Sequence, residues 1–128
     1  MFRMSFAGSI LLAATLFAST HAQQQQTVGQ FDSHCDVGGV ATPGSVVFDP
    51  EHQTYAITAS GTNMWAAKDE FHFLWKRMKG NFILRARVEF IGKGVDPHRK
   101  IGWIVRPNLD TDGPHVNASV HGDGLTSL

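Results

Sequence analysis

The sequence predicts an all-β chain folded as an antiparallel β-sandwich, and three observations carry that prediction. Residues 82–90 place Phe82, Leu84, Ala86, Val88 and Phe90 on one side, with Ile83, Arg85, Arg87 and Glu89 mainly on the other. Phe71, Phe73 and Trp75 share one face of a shorter segment just before it. A period of two marks extended strands with one buried and one solvated face. No stretch of useful length beyond the first 22 residues has a helical period. One-faced strands need a second layer to cover them, which gives the sandwich.

The first 22 residues read as a secretory signal peptide. Arg3 is the only charge near the start, residues 5–18 are apolar or small, and Thr20 and Ala22 supply the small residues of a cleavage site. The apolar run is too short for a membrane span, with an uncleaved anchor as the alternative. No lipobox cysteine follows it, because the only cysteine is Cys35. Export to the periplasm or the extracellular space is therefore expected, with no membrane span after signal removal. Residues 23–30, opening on four glutamines, read as a flexible lead-in, and residues 31–128 as one partial domain.

Eleven Lys and Arg balance eleven Asp and Glu. Near-neutral charge argues against nucleic acid, which needs several cations on one surface. The nearest basic cluster, Lys76, Arg77, Lys79, Arg85 and Arg87, reads as a solvated sheet face and a turn. A lone Cys35 excludes an internal disulfide, so the fold relies on packing. His34 adjoins Cys35, but neighbours on a strand point in opposite directions, so the pair is weak evidence for a thiol–imidazole couple.

The elements follow in order. Residues 31–37 enter the sheet near its edge, and Gly38, Gly39 and Pro43-Gly44 punctuate the chain before residues 45–48. Asp49-Pro50-Glu51-His52 has turn chemistry and joins that strand to residues 55–59 as a hairpin. Gly61-Thr62-Asn63 is a turn that delivers Trp65. Phe71–Trp75 is then expected to pair with residues 82–91 across the turn 78–81. Residues 92–99 form a loop, residues 100–106 align Ile101, Trp103 and Val105, and Pro107 stops them. Residues 115–121 close the set, with Val116, Ala118 and Val120 expected in the core. The chain stops as an apolar run begins, which predicts truncation at the C-terminus.

Asn63-Met64-Trp65, Asp69-Glu70-Phe71-His72-Phe73, the run from Trp75 to Phe82, Arg87-Val88-Glu89-Phe90 and the run from Lys100 to Arg106 together resemble the concanavalin A-like lectin/glucanase superfamily. Within it, the chain is most similar to exported domains found beside TolB-like propeller repeats in some bacterial proteins. The resemblance implies a jelly roll of two antiparallel sheets. It implies a carbohydrate-binding domain, a glycosidase or an accessory domain, and does not choose among them.

A retaining glycosidase needs two carboxyls about 5–5.5 Å apart. The glutamates are Glu51, Glu70 and Glu89; Asp69 and Glu70 point to opposite faces if extended, and Glu89 has Arg87 as its same-face neighbour. No catalytic residues are assigned. Sugar binding needs a flat aromatic platform with hydrogen-bonding groups at its rim. Trp75 and Trp103 are in phase with apolar neighbours and read as core, whereas Trp65 follows a turn. The candidate carbohydrate-binding residues are Trp65, His72, Arg85, Arg87, Arg106, His115 and Asn117, with Ser119 and His121 on the same row as the last two. An ordinary solvated sheet face is the alternative for the polar members.

No metal and no cofactor are expected. His115 and His121 are about 20 Å apart on an extended strand, and Asp110, Asp112 and Asp123 match no complete calcium loop. Asn117-Ala118-Ser119 is a glycosylation sequon that would go unused in a bacterial protein. Gly92, Gly94 and Gly102 precede no helix and form no phosphate loop. The expected function is non-catalytic recognition of a polysaccharide or cell-envelope glycan by a module of a larger exported protein. The alternative is a structural or protein-interaction module docking onto a propeller domain, with a glycoside hydrolase third.

Overall fold

The computed structural model describes residues 27–128, so the leader and the first half of the lead-in, residues 23–26, lie outside the described residues. Among these residues the protein is all-β, built of small antiparallel sheets, with no helix. The strands are β1 (Ser33–Val37), β2 (Ser45–Asp49), β3 (Thr54–Thr58), β4 (Phe71–Trp75), β5 (Lys100–Val105), β6 (Val116–His121) and β7 (Thr126–Ser127). They form two pairs, β1–β4 and β2–β3, and a three-stranded sheet in the order β5–β6–β7.

The β2–β3 hairpin follows from its turn. Asp49 Oδ1 accepts the backbone N–H groups of Glu51 and His52 at 2.9 and 3.2 Å, and Gln53 completes the reversal at a φ of 54°. Phe48 and Tyr55 face each other in register and stack at 4.6 Å, with Phe31 edge-on to Tyr55 at 5.1 Å. Val28 and Phe31 exchange both backbone hydrogen bonds around Gly29, and the Gln30 N–H donates to the Tyr55 hydroxyl. Gly29 sits at a φ of 60° against Tyr55 and Phe48, where a side chain would not fit. The segment just before β1 is thus tied to the hairpin.

β4 takes its partner from β1, with Cys35 opposite Phe73, and not from residues 82–91. Those residues carry no ladder, and Ile83 and Ile91 are 81% and 88% exposed. Alternation dictates an extended, two-faced segment; it does not name the partner that must supply the hydrogen bonds.

β5 and β6 pair from Lys100↔His121 to Val105↔Val116. Gly102 lies against the Ala118 carbonyl, where a Cβ would collide. The inward face of β6 is opposite to the one expected. Val116 is 73% exposed, whereas Asn117, Ser119 and His121 are buried at 8%, 7% and 5%. The buried row is satisfied partly within itself, the Ser119 hydroxyl donating to Asn117 Oδ1 at 3.0 Å. Among the described residues Val37 is the only buried hydrophobic side chain, so polar contacts take much of the interior.

Candidate functional site

Trp65 is the exposed aromatic of a short loop between β3 and β4, at 48% of its free surface. The Glu70 N–H donates to the Asn63 carbonyl at 2.8 Å and closes the loop at its base. The Glu70 carboxylate takes the Thr62 hydroxyl at 2.8 Å on one oxygen and the Lys68 ammonium at 2.7 Å on the other. Lys68, and then the Thr62 hydroxyl, hold Glu70 below the usual carboxylate range. A charged, engaged carboxylate of this kind is a brace and not a proton donor.

The adjacent residue anchors the loop from below. Asp69 is buried, and its N–H donates to the Thr111 carbonyl at 2.6 Å. Its Oδ2 lies 3.1 Å from Arg106 Nη1 and 3.8 Å from His115 Nδ1. The ion-pair distance is short, but the angles are off line, and neither Asp69 Oδ2 nor Arg106 Nη1 makes a hydrogen bond there. Arg106 also donates to the Asp110 carbonyl and spans the Phe71 ring at 5.5 Å. Arg106 and His115, two of the residues expected at a sugar-binding rim, both approach Asp69 at the end of the Trp65 loop.

The other expected rim residues disperse. The His72 side chain is buried, with Nδ1 2.7 Å from Asp36 Oδ1 and Nε2 3.0 Å from His34 Nδ1. The ionised Asp36 can only accept, so His72 Nδ1 carries the proton between them. This bond to His72 is the main cause that lowers Asp36 below its ordinary range. Asn117 is buried on β6, while Arg85 and Arg87 are exposed on the unpaired segment. The structure brings Arg106 and His115 together at Asp69, and places His72 on β4, Asn117 on β6 and Arg85 and Arg87 on the segment without a ladder. Cys35 is half-buried opposite Phe73, and burial pushes its thiol up, away from the reactive thiolate.

A third polar cluster joins the 92–99 loop to the turn after β6. His98 Nδ1 lies 2.8 Å from Asp123 Oδ2 and 3.3 Å from His121 Nδ1, with the two rings edge to face at 4.2 Å. His98 entered no reading of the sequence, because it lies in a loop far along the chain from its partners. The signal that could have found it is the register Lys100↔His121, which sets the residues just before β5 beside the end of β6. Asp36 was missed for the same reason, and Asp69 was weighed only as a catalytic carboxylate, because their partners arrive by non-local pairing. Comparison of the chain with protein-family models, with curated proteins and with solved structures finds no significant match to any of them.

Proposed function

We propose that this chain is a non-catalytic recognition module for a polysaccharide or cell-envelope glycan, with Trp65 as the stacking platform. The observation that carries the reading is a half-exposed tryptophan on a loop fixed at both ends and braced from beneath by a buried ion pair. A preorganised aromatic face meets a sugar ring at little ordering cost. The resemblance to the concanavalin A-like superfamily supports the same reading and extends it to a jelly roll. The leader-like first 22 residues support export, to the periplasm or beyond.

Calorimetric titration of the full chain against a panel of polysaccharides tests this. Saturable binding is expected, with a loss of at least about tenfold in Trp65→Ala, in line with the weight of a single aromatic anchor. The melting temperature of that variant should change little, since the ring is 48% exposed. A folded chain silent toward every glycan, or binding indifferent to Trp65→Ala, sinks the proposal.

A second reading is favoured by one observation. Residues 82–95 expose Ile83, Ile91 and Val95 along a segment without a ladder. An extended segment of that kind suits pairing with another protein surface, such as a propeller domain. Tight association with such a domain, without glycan binding, selects this reading.

A further inference from the structure

We propose that His98, His121 and Asp123 form a binding site for one borderline divalent transition-metal ion, with zinc as the type. The argument begins with how their ligand atoms converge. His72 uses its two ring nitrogens on two different partners, one donor meeting one acceptor each time. His98 differs, since a single nitrogen, Nδ1, faces both Asp123 Oδ2 at 2.8 Å and His121 Nδ1 at 3.3 Å. One N–H shared between a carboxylate oxygen and an imidazole nitrogen cannot serve both contacts well. A cation among three lone pairs satisfies all of them at once.

The distances suit such an ion. Zinc bonds of 2.0–2.1 Å in a tetrahedron place neighbouring ligand atoms about 3.3–3.4 Å apart. The two nitrogens stand at that spacing, and the three ligand atoms lie within 4.8 Å of one another. The His98–Asp123 contact has hydrogen-bond length and must open by about half an ångström when the proton gives way to the ion.

The surroundings hold the ligands in place. The Leu125 N–H donates to Asp123 Oδ1 at 3.0 Å, which turns Oδ2 toward His98. The His98 N–H donates to Asp96 Oδ1 at 2.7 Å, and the Gly122 N–H donates to the Arg99 carbonyl at 2.8 Å. Those bonds fasten the loop to the turn that carries the other two ligands. His121 is the last residue of β6 and is buried, with its Nδ1 turned toward His98. Its Nε2 is buried without a hydrogen-bond partner, so the ring is committed to the cluster by its other nitrogen. His98 and Asp123 remain partly exposed, which leaves a path for the ion and a fourth position for water.

The donor set selects the ion. Two imidazoles and one carboxylate oxygen fit zinc and its neighbours better than calcium or magnesium, which take oxygen ligands. Lys100 stands opposite His121, so field alone does not draw a cation there. Coordinate bonds to nitrogen must supply the affinity.

Calorimetric titration of the full chain with zinc, followed by removal with a chelator, tests the site. One saturable equivalent is expected, with a melting temperature raised by zinc and restored by the chelator. His98→Ala and Asp123→Asn should weaken binding by more than the roughly 10–100-fold that follows loss of a supporting hydrogen bond. His52→Ala, which removes an exposed histidine paired with Asp49, should leave it unchanged. Cobalt should give the visible absorption of a tetrahedral site. In the unaltered chain, zinc should shift the imidazole resonances of His98 and His121 and spare those of His34, His52, His72 and His115. That readout needs no variant to fold. Absence of saturable binding, binding that survives either ligand substitution in a folded variant, or resonance shifts centred on other histidines overturns the proposal.

Discussion

Asp69 sits where three segments of chain meet: the end of the Trp65 loop, Arg106 after β5, and Thr111 and His115 before β6. Its carboxylate is the counter-charge for a guanidinium whose side chain is 1% exposed. Removing it leaves Arg106 buried and uncompensated, so Asp69→Ala should destabilise the fold by about 3–5 kcal/mol, read from denaturant unfolding. Asp36 acts differently, because its effect depends on pH. Its folded-state pKa lies below the unfolded value, chiefly through the bond to His72. The unfolded chain therefore binds more protons in that window. The contribution is fully present above about pH 3.9 and is lost as pH falls through the folded value. Asp36→Asn should remove part of this acid sensitivity and cost about 1–2 kcal/mol at neutral pH. Melting temperatures of the two proteins across the acid range give both figures.

At the scale of the element, what could be read in the sequence was what is local. The β2–β3 hairpin was legible because Asp49 and Pro50 lie between its strands and fix the turn. Trp65 was legible as exposed because a turn precedes it. β5 and β6 were placed within about a residue by their alternation, yet that alternation could not say which side of β6 faces inward. Polar contacts decided it: Asn117 holds Ser119, and His121 meets His98. The β1–β4 pairing was invisible because its register is set across a long separation, and the more local choice, residues 82–91, looked equally good. Hydrogen exchange separates the two cases directly. Amides within the β5–β6 ladder should be protected, whereas those of residues 82–91 should exchange at close to unprotected rates. Strong protection over 82–91 would mean that the segment finds a partner strand in solution.

At the scale of the whole molecule, the described residues form three small sheets linked by charge and imidazole pairs more than by a continuous apolar centre. Each polar cluster joins parts that no ladder connects: Asp69 joins the Trp65 loop to the chain leading into β6, and His98 joins the 92–99 loop to the turn after it. Asp36 works across β1 and β4, and it also accepts the Gly44 N–H that leads into β2. The candidate recognition surface therefore depends on interior groups far from any ligand. Substitutions at Asp69 or Arg106 should register at Trp65 before they register as loss of strands.

The β1–β4 pair also constrains the order in which the chain can fold. His34 and His72 are 38 positions apart, and the β2–β3 hairpin lies wholly between them. A ladder that closes so large a loop carries an entropic cost that the hairpin reduces, by shortening the chain to be brought together. The hairpin should thus form first and the β1–β4 ladder second, with the imidazole–carboxylate chain locking only once both are in place. On a ribosome, β1 must wait exposed until β4 has been made, and the tie between the Val28–Phe31 turn and Tyr55 gives it a docking point in the meantime.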